Sequence, residues 1–107
     1  MLSTFEVLSL PARRKIVERL RHGPKSVGEL ADELGISQPI MSKHLRTLRD
    51  SGFVTVRVDA QRRWYELRPE PLKEMAEWLE PYRWMWEDRL DLLGERLDTM
   101  RDEEENR

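Results

Sequence analysis

The stretch SQPIMSKHLRTLRDSG, residues 37–52, carries side chains whose types and spacing suit recognition of another molecule. Read as a helix, Met41, Leu45 and Leu48 form one apolar seam. At about 100° per residue, Pro39, Lys43 and Arg46 then fall nearly opposite that seam, with Ser42 beside them. Gln38 stands in the first turn. No acid answers these groups until Asp50, whereas a helix face kept merely soluble usually mixes both signs. Gln and Arg can make paired hydrogen bonds to adenine and guanine in a major groove. Lys43 and Arg46 are suited to neutralising phosphates. His44 falls on the flank of the seam and is expected to be half-buried packing.

Other chemistries are excluded by composition. The 107 residues contain no Cys, so disulfides, thiolate metal sites and cysteine nucleophiles are all absent. The two histidines, His22 and His44, lie on different expected helices with no nucleophile pattern beside them. No Gly-rich phosphate loop, H-E-x-x-H or G-x-S-x-G motif occurs. Asp32 and Glu33 are adjacent on a helix and so point apart. Neither catalytic residues nor metal ligands nor a cofactor are expected. No apolar run is long enough to span a bilayer and no signal peptide opens the sequence, so a cytoplasmic protein is expected.

The elements that must position residues 37–52 follow from punctuation. STFEVL suits a short first helix with Phe5 and Leu8 at helical spacing. Ser9 is expected to cap a second helix, with Pro11 in its first turn and Ile16, Val17 and Leu20 inward. His22-Gly23-Pro24 ends it. Ser26 and Glu29 have capping-box spacing and open a third helix, with Leu30 and Leu34 inward and Gly35 as its stop. Ser37 caps the next helix almost at once. Two helices joined through a tight glycine turn form a helix-turn-helix.

After Gly52 the period changes to alternation. Val54, Val56 and Val58 share one face, Tyr65 and Leu67 another strand, and Asp59-Ala60-Gln61-Arg62 the tip of a hairpin. Arg62 and Arg63 at that tip are placed to reach a phosphate or a minor groove. From Pro71 the helical period returns, with a break expected near Glu80 because of Pro81. The fold class is therefore mostly α with a small β-hairpin, a winged helix-turn-helix with a long C-terminal helical segment used for dimerisation. One domain over 1–107 is expected, with a DNA-binding core at 9–68, dimerisation helices at 69–102 and a frayed tail at 103–107.

Charge supports two different surfaces. The net charge is −2, yet residues 37–68 hold seven Lys/Arg against three Asp/Glu, and residues 69–107 six against thirteen. Arg13, Arg14 and Lys15 oppose a helix dipole and are read either as phosphate contacts or as partners of acids such as Glu18. In the C-terminal segment Leu79, Trp86 and Leu93 recur every seven residues. Leu90, Leu97 and Met100 continue a partner seam, and Trp78, Met85 and Leu92 widen the face. So broad an apolar face is expected to be covered by a second copy.

VGELADELGISQPIMSKHLRTLRDSGFV, supported by RRKIVERL upstream and RRWYEL downstream, resembles the ArsR family of bacterial winged-helix repressors over about residues 5–68. The resemblance implies a homodimeric repressor that binds operator DNA, an inverted repeat, and is released by an inducer. It implies DNA contacts early in the recognition helix, at Gln38, Ser42 and Lys43. It also implies pairing of the first and last helices, which assigns Phe5, Leu8, Leu79, Trp86, Leu90, Leu93 and Leu97 to a dimer interface. The departures are specific. Where metal-sensing members carry C-x-C, this chain has about Ser26 and Gly28, and no histidine follows His44. The wing tip also lacks the glycine often found there. The expectation is a sequence-specific regulator of the ArsR type acting without a metal effector, contacting DNA through Gln38, Pro39, Ser42, Lys43, Arg46, Arg62 and Arg63. Two alternatives are a winged-helix protein-interaction module without DNA binding, and a repressor released by a small apolar ligand near Trp78, Trp84 and Trp86.

Overall fold

The computed structural model describes residues 2–87 and divides the chain into two compact units, residues 1–75 and 76–107. The division falls inside a helix rather than at residue 69. In the first unit, α1 (Thr4–Val7) is capped by Ser3, whose Oγ accepts from Glu6 N. α2 (Pro11–Leu20) begins with Pro at a position where no N–H is needed. The expected Ser9 cap is not made. Its hydroxyl turns back and donates to Glu6 O at 2.6 Å, and α2 starts from Leu10 with no side-chain cap.

A short strand, β1 (Lys25–Ser26), precedes α3 (Val27–Leu34). Ser26 Oγ accepts from Glu29 N at 3.2 Å, as its spacing predicts. Gly35 ends α3 at φ 64°, a left-handed conformation that costs glycine little. Three residues later α4 (Gln38–Asp50) is under way, capped by Ser37 Oγ on Ile40 N. At its far end Phe53 N donates to Leu48 O and Gly52 N to Arg49 O, with Gly52 at φ 80°. These paired bonds satisfy the carbonyls of Leu48 and Arg49 and turn the chain into the sheet.

β2 (Val54–Asp59) and β3 (Arg62–Leu67) form the hairpin, and β1 pairs with β3 on its other side, giving the antiparallel order β1-β3-β2. The hairpin is therefore one part of a three-stranded sheet. Ala60 takes φ 57° at the tip, where an L-residue costs about 1–2 kcal/mol more than glycine would. The register sets Val54 against Leu67 and Val56 against Tyr65. Val54 and Tyr65 are buried, and Val56 and Leu67 pack against the core. Val58 does not join them. It is 67% exposed, because the hairpin has by then run past the helices.

The core gathers Val7, Ile16, Leu30, Met41, Leu45, Leu48, Phe53 and Val54, all at most 2% exposed. Every inward residue expected of α4 is there. Val7 is the buried residue of α1, and Phe5 is exposed. α5 (Glu70–Leu79) lays Leu72 and Met75 on this core. In the second unit, a 3-10 turn at Glu80–Tyr82 contains Pro81, and residues 83–87 are helical again. The break falls where Pro81 removes an N–H. Leu90, Leu93 and Leu97, with the expected tail, lie outside the described residues.

Candidate nucleic-acid interface

α4 presents its polar surface because its apolar seam is fully used. Met41, Leu45 and Leu48 are each 0% exposed, which fixes the rotation of the helix about its axis. Gln38, Ser42, Arg46 and Arg49 then follow one another along a single flank, at spacings of three and four residues. That flank faces the sheet. A groove of about 690 Å³ is lined by these four residues together with Val27, Asp50, Arg63 and Tyr65. Successive strand residues alternate faces, so Arg63 shares its face with Tyr65 and turns toward α4.

A neighbouring hollow of about 580 Å³ lies between the first turn of α3 and the wing tip. Its lining includes Gln38, Gln61, Arg62 and Arg63, but also Glu29 and Asp32. The two spaces thus differ in charge: three guanidinium groups and one carboxylate in the first, two and two in the second. Gln38 and Arg63 line both. A Cβ on Gly28 would lie 3.8 Å from Gln38 Nε2, an ordinary van der Waals distance, which places the Gln38 amide beside the first turn of α3.

Of the expected site residues, Gln38, Ser42, Arg46 and Arg63 meet in one groove, and Arg62 lines the adjoining hollow. Pro39 and Lys43 are exposed on the outer side of α4 and line neither. Among the described residues no ion pair engages Lys43, Arg46, Arg49, Arg62 or Arg63. Arg49 continues the flank of Gln38, Ser42 and Arg46 and lines the same groove, although it is not among the expected DNA contacts. Ile40 is 51% exposed, an apolar side chain on a polar helix beside Pro39.

Arg13 and Arg14 do something else. Arg14 Nη1 donates to Leu8 O at 2.8 Å and Arg13 Nη1 to Val7 O at 3.4 Å. Both close the C-terminal carbonyls of α1, a role that neither the phosphate nor the acid-pair reading contained. His44 is half-buried on its flank of α4 as expected. Burial first, and the nearby Arg13 charge second, hold its imidazole below the ordinary histidine range.

Residues 11–56, which span the whole helix-turn-helix and reach into the hairpin, match the bacterial regulatory protein arsR family. The transcriptional repressor SdpR of Bacillus subtilis is 30% identical over 79 residues, covering 74% of this chain and 88% of that protein. The chain belongs to the ArsR family. The HTH-type transcriptional regulator Rv2034 of Mycobacterium tuberculosis is 46% identical over 68 residues, 64% of each chain. The match thus spans just under two thirds of that protein's length. Among solved structures, a possible transcriptional regulator for arsenical resistance superposes with TM-score 0.71 at 36% identity, covering 84% of this chain and 94% of that one. The winged helix-turn-helix of this ArsR-family chain is that of a transcriptional regulator, not an enzyme.

Within an ArsR-family chain the donor set near α3 can be tested for a metal. Ser26 spends its hydroxyl as the cap acceptor of α3, and Gly28 has no side-chain donor. Neither fits a soft cation. Among the described residues no three His, Asp or Glu side chains gather as ligands. No helix among them is long and apolar enough to cross a membrane.

The interface residues expected in a dimer are open where they are described. Phe5, Leu79 and Trp86 are exposed and Leu8 is half-buried. Trp78 and Trp84 are more than half exposed, with the Trp78 and Tyr82 ring centroids 5.3 Å apart. Trp86 lines a shallow hollow of about 220 Å³ with Ala76, Leu79, Glu80 and Arg83. That is below the usual size of a small-molecule site.

Proposed function

We propose that the protein is a homodimeric repressor that binds an inverted-repeat operator and is regulated without a metal. The observation that carries this reading is the groove between α4 and β3, where Gln38 and Ser42 stand beside Arg46 and Arg63 and, among the described residues, no ion pair engages either arginine. Gln38 and Ser42 are assigned to base edges, Arg46 to either base or phosphate, and Lys43, Arg62 and Arg63 to phosphates. Pro39 sets the first turn of α4 against the duplex. SdpR is named a transcriptional repressor, which supports the sign of regulation.

Dimerisation rests on Trp78, Leu79, Tyr82, Trp84, Met85 and Trp86, all more than a third exposed within a nine-residue stretch. An apolar display of this density calls for a cover, and a second copy supplies one with Leu90, Leu93, Leu97, Phe5 and Leu8 as further interface residues. Twofold symmetry would set two α4 helices about 34–36 Å apart, one turn of DNA. The missing cysteines and the Ser26 and Gly28 donor set support regulation without a metal. The test is selection of bound duplexes from a random pool, then sedimentation of the protein with a full inverted repeat and with a half-site. Two chains on the full repeat, indifferent to micromolar zinc and to chelator, are expected. A monomer that binds the half-site equally well defeats the proposal.

A further inference from the structure

The groove beside α4 contains more positive charge than readout of base edges requires. Arg49, from the last turn of α4, lines it with Arg46 one turn earlier and Arg63 from β3. No ion pair engages any of the three among the described residues, so each guanidinium keeps its donors for an incoming acceptor. Asp50 is the one carboxylate in the lining. It occupies the last helical position, where a negative charge opposes the helix dipole and so weakens the helix that carries it. Local stability therefore does not explain Asp50.

We infer that Arg46, Arg49 and Arg63 form a cradle for one phosphate of the duplex backbone at the C-terminal end of α4, and that Asp50 weakens this cradle for every sequence alike. The inference rests on the DNA-binding reading above and adds Arg49 and Asp50 to it. Phosphate contacts hold the register of a protein on DNA without discriminating bases. A carboxylate within such a site lowers affinity for random DNA while leaving the Gln38 and Ser42 contacts untouched. Because the cradle meets specific and random duplexes alike, Asp50 lowers both affinities by the same factor and leaves their ratio to Gln38 and Ser42. The hollow on the other side of Gln38 is a poorer place for the same phosphate, because Glu29 and Asp32 offset Arg62 and Arg63 there.

The test uses the full chain and a random-sequence duplex titrated across salt concentrations. Each phosphate contact contributes a slope of about 0.9 in log affinity against log salt. Arg49→Gln leaves Arg46 and Arg63 facing that phosphate, so it should narrow the ratio of affinities at 50 and 200 mM salt measurably, up to the limit of about 3.5-fold per subunit for complete loss of one contact. Arg49→Lys, which keeps the charge, should leave the ratio as it was. Asp50→Asn should raise affinity for random duplex by about twofold or more and remain folded, since it removes an unfavourable charge from the helix end. A wild-type protein that binds with salt-dependent affinity, beside an Arg49→Gln variant of unchanged slope, overturns the cradle and leaves the repressor reading standing. A wild-type protein with no salt-dependent duplex binding overturns both. Should Arg49→Gln fail to fold, Asp50→Asn decides, and unchanged or weaker binding by it overturns the cradle.

Discussion

α4 and the segment from Trp78 to Trp86 are both amphipathic, and they leave opposite faces unsatisfied. In α4 the apolar seam is completely covered within one chain, while among the described residues no ion pair engages Lys43, Arg46 or Arg49. In the later segment the charges are answered locally: Arg83 pairs with Glu80 and with Glu87, and these bonds hold its guanidinium even more firmly protonated. There it is the apolar side chains that remain open, Trp84 at 62% exposure among them. What a folded chain leaves unmet indicates what it meets in another molecule. Unpaired donors suit a polyanion, and uncovered rings suit a second apolar surface.

The contrast can be broken most strongly from inside α4. Leu45→Ala removes a fully buried side chain and should cost about 2–5 kcal/mol of stability, read by urea unfolding. Trp86→Ala should cost far less in the monomer, because that ring is already open to water. Equal losses would mean that the C-terminal face is covered within its own chain.

A next, smaller effect separates association from folding. Trp86→Asp should shift the sedimentation equilibrium toward monomer and reduce binding to the full inverted repeat, with helical circular dichroism retained. Unchanged dimers would remove Trp86 from the interface. On the other region, Gln38→Ala should relax preference at one base position in each half-site by about 1–3 kcal/mol. An equal loss on operator and random duplex would make Gln38 a backbone contact instead.

The smallest expected effect concerns His44. Its folded-state pKa is lowered, so the unfolded chain takes up the proton more readily. Stability from this group is complete above the ordinary histidine value of about 6.5 and declines as pH falls below it, levelling off once the folded form is also protonated. Unfolding midpoints measured between pH 8 and pH 5 should fall, and His44→Gln should flatten part of that fall. A wild-type midpoint that rises on acidification would contradict it.

Helix boundaries, the seam of α4 and the two main strands depend on neighbours a few residues away, and they could be read in order along the chain. Ser26 and Ser37 cap the helices they precede, Gly35 and Gly52 end α3 and α4, and Pro81 interrupts the C-terminal helix, because capping and backbone geometry are local interactions. Tertiary structure alone decided the rest. Lys25 and Ser26 become a strand only because Tyr65 and Trp64 lie alongside them. Arg13 and Arg14 find the carbonyls of Val7 and Leu8 because α2 folds back beneath the end of α1. Val58 alternates correctly yet stays in water, since burial depends on where the helices stop and not on the period of the strand. Arg49 and Arg63 line the same groove because β3 runs beside α4, a meeting between distant positions that no helical wheel contains.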